Sequence, residues 1–148
     1  MQLTLYTDYS LRVMVYLART ETQCNITEIA DYFGVSRNHL VKVVHNLSTH
    51  GLIRSTRGKG GGIRLARPAA SINLGEIVRV TEPNFSLVEC FDADKDRCAI
   101  TRACGIKGPL YEAHRAFMAV LDRNMLSDAA LATDWQAVQI HPRKTQPA

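Results

Sequence analysis

Thr27-Glu28-Ile29-Ala30-Asp31-Tyr32-Phe33-Gly34-Val35-Ser36-Arg37-Asn38-His39-Leu40-Val41-Lys42-Val43-Val44-His45-Asn46-Leu47 is the stretch that decides the fold. Ile29, Ala30 and Phe33 stand at helical spacing, Gly34 interrupts them, and Leu40, Val43, Val44 and Leu47 resume the stripe. Asn25 or Thr27 can cap the first helix and Ser36 the second, which the pattern ends near His50 and Gly51. Glycine accepts the left-handed backbone of a sharp turn, so the spacing predicts a helix-turn-helix. In that motif the second helix projects its first turns into the major groove of DNA. Here those turns carry Ser36, Arg37, Asn38 and His39, with Lys42 one turn on. Arg and Asn side chains form bidentate pairs with guanine and adenine edges, and Lys suits phosphate. An antiparallel helix pair with an ordinary polar surface would show the same periodicity, and the flanking sequence separates the two.

Downstream, Leu52 to Arg57 reads as a strand, Gly58-Lys59-Gly60-Gly61-Gly62 as a turn, and Ile63-Arg64-Leu65 as a returning strand. Such a hairpin is a wing. Its glycines let the backbone approach a phosphate, and Arg57, Lys59 and Arg64 supply charge. The glycines lack the G-x-x-x-x-G-K-[ST] spacing and lead into a strand instead of a helix, which excludes an NTPase loop. From Ser36 to Arg67 there are seven Lys or Arg and no acid, whereas the remaining residues hold 11 bases and 14 acids. The whole excess of the net +4 charge therefore sits on one short stretch, the mark of a surface for a polyanion.

Upstream, Leu5, Tyr9, Val13 and Tyr16 or Leu17 give a helix over about Leu3 to Arg19. Beyond Pro68 a short helix spans Leu74 to Thr81 and stops at Glu82-Pro83. Residues 84 to about 108 have no periodicity. Gly108-Pro109 marks the start of a long helix, because proline in the first turn forfeits no hydrogen bond. Its stripe is Leu110, Ala113 or His114, Phe117, Val120 or Leu121, and Met125. On so small a domain this stripe needs a cover, and a second copy of the chain supplies one, predicting a homodimer. Ser127 to Thr133 adds one or two turns. The expected organisation is a mainly α chain with a small β wing: a winged helix-turn-helix domain over 1–82, a cysteine loop over 83–108, a dimerisation helix and short terminal helix over 109–133, and a loose tail over 134–148.

At 148 residues, 46% apolar and 22% charged, the chain can bury a core but is too short for most two-domain enzymes. The longest apolar run, Val13 to Ala18, is six residues, and Asp8 and Arg12 lie where a signal peptide needs its apolar stretch. The expectation is a cytoplasmic protein without a membrane partner. In a reducing compartment its four cysteines read as ligands, redox groups or small packed residues.

Cys90, Cys98 and Cys104, spaced C-x7-C-x5-C, lie in the aperiodic segment, where a loop can turn thiols toward one ion or cluster. The dipole of the following helix, with Arg97, Arg102 and Lys107 nearby, favours an anionic thiolate centre. Structural zinc generally uses C-x2-4-C pairs, which are absent, so iron-sulfur stands ahead of zinc. Asp92, Asp94 and Asp96 open like a calcium loop, but Arg97 and Ala103 stand where glycine and glutamate are required. Cys24 stands apart and reads as a small packed or exposed thiol. A fourth ligand is not named by the spacing.

Taken together, Leu3-Thr4, Asp8-Tyr9-x-Leu11-Arg12, Gly34 to Lys42, Arg57-Gly58-Lys59-x-Gly61-Gly62-Ile63-Arg64-Leu65, Val80-Thr81-Glu82-Pro83 and the three-cysteine loop resemble the iron-sulfur winged-helix regulators of the IscR/NsrR family, in particular its nitric-oxide-sensing repressors. The likeness runs from Met1 to about Thr133. It implies a dimeric repressor, not an enzyme, that binds double-stranded operator DNA and carries one [2Fe-2S] or [4Fe-4S] cluster per subunit. It further implies Cys90, Cys98 and Cys104 as ligands, Asp8 as the ligand given by the other subunit, nitric oxide as the signal, and genes of nitric oxide detoxification as targets. A carboxylate is a hard donor on iron otherwise held by soft thiolates, so its bond is the one most easily displaced. Arg12, at i+4 from Asp8, can pair with it and is a switch candidate. A regulator of cluster supply or redox state, an iron-sulfur electron carrier and a zinc-stabilised DNA-binding protein are the competing readings.

Overall fold

The computed structural model describes residues 2–20, 22–58 and 60–137. In chain order they form α1 (Leu5–Thr20), α2 (Ile26–Phe33), α3 (Arg37–Thr49), β1 (Ile53–Thr56), β2 (Gly62–Leu65), α4 (Leu74–Thr81), α5 (Lys107–Arg123) and α6 (Leu126–Ala132), with single 3-10 turns at Ala69–Ser71, Glu89–Phe91 and Thr101–Ala103. The architecture is the winged helix-turn-helix that the sequence predicts, followed by a long helix.

The Asn25 side chain caps α2 by accepting from the Thr27 N–H. Gly34 ends that helix at φ 64°, its N–H donating to the carbonyls of Ala30 and Asp31. A β-carbon is unfavourable at that φ, which is why a glycine makes the turn. Ser36 precedes α3 in extended backbone, but its hydroxyl makes no capping bond. Ile29 and Ala30 of α2, Leu40, Val43, Val44 and Leu47 of α3, and Val13, Met14 and Leu17 of α1 form one buried core. Burying each of the larger of these side chains stabilises the fold by roughly 1.5–3 kcal/mol.

The wing pairs Ile53 with Leu65, Arg54 with Arg64, Ser55 with Ile63 and Thr56 with Gly62. Ile53 and Ile63 point into the core, so the hairpin cannot swing freely. Ile63 also exchanges two backbone hydrogen bonds with Cys24, at 2.9 and 2.8 Å. Cys24 is thus a packed thiol, 4% exposed, beneath the wing.

Two features differ from the sequence expectation. The long helix starts at Lys107, two residues before Pro109, which still lies in the first turn where no N–H bond is required. Met118 is the one fully buried residue of α5; of the expected stripe, Leu110, Phe117 and Leu121 are half-buried and Val120 is exposed, so one chain covers that face only in part. The helix is fixed to α4 by Arg79, whose guanidinium grips Asp122 at 2.6 Å through both nitrogens and holds that carboxyl below the usual range. Second, Trp135 is part of the folded body: its indole N–H donates to the Ala130 carbonyl at 3.0 Å, and the Arg19 guanidinium sits 4.6 Å from its ring centroid. Of the tail expected over 134–148, residues 138–148 lie outside the described residues.

A β-carbon at Gly62 would stand 2.6 Å from the Cys24 carbonyl oxygen, which is backbone and cannot step aside. Gly62→Ala should therefore destabilise the fold by about 1–3 kcal/mol, seen as a fall of several degrees in a thermal melt followed by circular dichroism.

Candidate nucleic-acid interface and cysteine loop

Ser36, Arg37, Asn38, His39 and Lys42 are all exposed on the first turns of α3, the face opposite the buried stripe. Arg37 is aimed by its Nε–H, which donates to Thr27 Oγ1 of α2 at 3.2 Å. The His39 ring stacks on Tyr9 of α1 with centroids 6.2 Å apart. Tyr6 donates its hydroxyl to the Lys42 carbonyl at 3.1 Å, and Asn46 donates its side-chain N–H to the Val80 carbonyl at 2.8 Å, tying α3 to α1 and α4. Burial pushes the Tyr6 phenol above its ordinary range, so it remains a donor at neutral pH. Val41, 39% exposed on the same helix, is a suitable surface for a thymine methyl group.

On the wing, Arg57 and Arg64 are exposed, while Lys59 lies outside the described residues. The register adds a residue that one-dimensional reading passed over. Arg54 stands directly opposite Arg64, both exposed, and like charges facing across an antiparallel pair repel. Among the described residues, Arg37, Lys42, Arg54, Arg57 and Arg64 form none of the ion pairs, so a phosphate backbone would relieve their mutual repulsion. Arg67 is different: it pairs with Glu76 and serves the scaffold.

The second group of residues surrounds the cysteine loop. Cys90, Cys98 and Cys104 are free thiols, each half-buried. Cys90 sits in the turn Glu89–Phe91, and Cys104 closes the turn Thr101–Ala103. Asp96 shapes the segment between them, its carboxylate accepting from the Cys98 N–H at 3.1 Å and the Thr101 hydroxyl at 2.7 Å. The loop leans on α5 through Phe85 against His114 and Phe91 against Tyr111. Three unpaired sulfur donors suit a soft metal centre. Among the described residues, however, no three His, Cys, Asp or Glu side chains converge closely enough to hold a metal ion within the single chain.

Asp8 and Arg12, in contrast, are brought together. Arg12 grips Asp8 through two bonds, 3.1 Å from Nε and 2.8 Å from the terminal nitrogen, on the exposed face of α1. Four residues before Asp8, Thr4 opens the helix, and Glu82 holds that opening: its Oε2 accepts from the Thr4 N–H at 3.1 Å, the Thr4 hydroxyl at 3.1 Å and the hydroxyl of fully buried Thr7 at 2.6 Å. Glu82 is also the last residue before the cysteine loop. In sequence it shows only as part of a helix-ending Glu-Pro, and nothing local signals a clamp across 78 positions.

A family model described as Rrf2, an iron-dependent transcriptional regulator, matches residues 3–131. The chain belongs to the Rrf2 family. It is 50% identical over 130 residues to the HTH-type transcriptional regulator NsrR of Bacillus subtilis, covering 86% of this chain and 89% of that one. To the protein of the same name from Bacillus licheniformis it is 44% identical over 136 residues, covering 90% and 95%. Among solved Rrf2-like structures it resembles CymR (YrzC), the global cysteine regulator of B. subtilis, with TM-score 0.74 and 29% identity over 90% of this chain and 99% of that one. IscR of T. potens follows with TM-score 0.70 and 27% identity over 94% and 93%. The chain is accordingly a transcriptional regulator and not an enzyme. No helix among the described residues is long and apolar enough to cross a membrane.

Glu82→Ala should cost this Rrf2 protein roughly 1.5–3 kcal/mol, the typical worth of hydrogen bonds to a charged acceptor, measured by urea denaturation.

Proposed function

We propose that the chain is a cytoplasmic, nitric-oxide-sensitive repressor that binds operator DNA as an iron-sulfur-loaded homodimer and lets go when nitric oxide reacts with the cluster, controlling nitrosative-stress genes. What carries this reading is the placement of three free, half-buried thiols on the segment that leaves Glu82, the residue that clamps the N-terminus of the helix bearing Asp8. The likeness to NsrR and the family description as iron-dependent support it.

Cys90, Cys98 and Cys104 would hold the cluster as thiolates and Asp8 would complete it from a second copy of the chain. When bound, the cluster supplies iron that nitric oxide can attack. The part of the α5 stripe left open by its own chain is the surface on which the copies would meet. Asp8 then has two alternatives, to lend its oxygen to the cluster or to close on Arg12, as it does here. Closing on Arg12 stabilises the state that does not bind DNA. An exposed pair of this kind is worth little by itself, so the switch depends on the competition for Asp8 more than on the strength of the pair. Ser36, Arg37, Asn38, His39 and Lys42 read the major groove, and Arg57, Lys59 and Arg64 hold the backbone beside it.

Two outcomes follow for DNA binding. Lys42→Ala should weaken binding to all duplexes about equally and reduce the salt slope by about 1. Asn38→Ala should relax base preference at one position by about 1–3 kcal/mol. Both are read from salt-titrated binding to an operator duplex selected in vitro with the wild-type protein.

For the sensor, protein purified without air should show visible charge-transfer absorption and release the operator on exposure to nitric oxide. Replacing Cys90, Cys98 and Cys104 together with serine should abolish both. A serine variant that still binds tightly and still responds to the gas overturns the reading, a colourless wild type with stoichiometric zinc supports the zinc alternative, and release by iron chelator or peroxide without release by nitric oxide supports a sensor of cluster supply or redox state. Arg12→Ala should change operator affinity after nitric oxide; unchanged affinity both before and after removes Arg12 from the switch.

A further inference from the structure

The Arg12 guanidinium does more than bind Asp8. Its central carbon lies 6.0 Å from the ring centroid of Tyr9 and 6.0 Å from that of Phe33, within the range in which a cation is drawn to an aromatic face. Tyr9 in turn stacks on His39, with ring planes inclined by 26° and centroids 6.2 Å apart. His39 is exposed in the first turn of α3, between Asn38 and the buried Leu40. An unbroken series of contacts thus leads from Asp8 through Arg12 and Tyr9 to the base-reading edge of the recognition helix, all inside one chain. Tyr9 and Phe33 also pack against the edge of the core, whereas Arg12 and His39 at either side of the Tyr9 ring are exposed.

We propose that Tyr9 is the positioning residue that couples the Asp8–Arg12 pair to DNA reading, by its contacts with Arg12 and with His39. This rests on the sensor reading above for the signal, although the coupling itself is a property of the chain. When Asp8 holds Arg12, the guanidinium is kept at the Tyr9 and Phe33 rings; when Asp8 is engaged elsewhere, Arg12 loses that anchor, and the Tyr9 ring and the imidazole stacked on it settle differently. Coupling of this kind between two sites must have two arrangements that both sites bias, and the shared guanidinium provides them.

A double-mutant cycle on the full-length protein tests this, with two readouts. In the cluster-free protein, the His39 imidazole resonances should move on Arg12→Gln while Tyr9 is present and stay put on Arg12→Gln in a Tyr9→Leu background. Tyr9→Phe, which keeps the ring, should behave as wild type. On the selected operator duplex, Arg12→Gln should alter affinity about fivefold or more in the Tyr9 protein and less than about twofold with Leu at 9. Additive effects, or His39 resonances indifferent to Arg12 while Tyr9 is present, overturn the relay. Should Tyr9→Leu unfold, the Tyr9→Phe protein and the Arg12→Gln shift at His39 still decide. If the His39 resonances show the coupling but nitric oxide never changes binding, the sensor reading fails and the relay stands; if nitric oxide releases the operator and the cycle is additive, the relay alone fails.

Discussion

Everything in this protein is arranged around the burial of one face of α1. Val13, Met14 and Leu17 are 0–2% exposed, and the helix packs against α3, the wing strand β2, α4 and α6. That shared core is what a chain of this size can bury, and it makes the first helix the common support of the basic helix α3 on one side and the helices that follow the wing on the other. The outer face of the same helix carries Asp8 and Arg12, with Tyr9 at the boundary between that face and the core. An element held so firmly by its apolar side can present polar groups to two sites with little freedom to drift.

The basic surface follows a different logic. Five of its cations have no ion pair among the described residues, and two of them face each other across the wing hairpin. A fold selected for stability alone would place an acid between Arg54 and Arg64. The absence of any acid from Ser36 to Arg67 leaves a charge density that is relieved by binding a polyanion, which is the expected economy of a DNA-binding protein.

Much of this was legible in the sequence because it depends on neighbours in the chain. Helix α4 spans Leu74–Thr81 as its pattern predicts, since Asn73 caps it locally and Glu82-Pro83 stops it. The wing was legible because the glycine cluster Gly58 to Gly62 separates two short runs that carry Ile53, Thr56 and Ile63. The start of α5 was displaced by two residues, because Lys107 and Gly108 become helical through the Leu110 N–H bond to the Ile106 carbonyl, a preference that composition does not signal. Trp135 was hidden among polar tail residues, and only its packing on Arg19, Tyr16 and Tyr32 shows that the folded body extends to it.

The order of elements, the Asn25 cap, the acid-free basic stretch, the three thiols on an aperiodic loop and the reach of Arg12 to Asp8 are all short-range facts, and the linear chain determined them. Tertiary structure alone decided that Arg54 faces Arg64, that Glu82 clamps Thr4 and Thr7, and that Tyr9 meets His39. Each of these joins residues whose spacing along the chain carries no signal. They meet because apolar faces elsewhere had to be buried together, and the polar contacts were set by where that burial left the backbone.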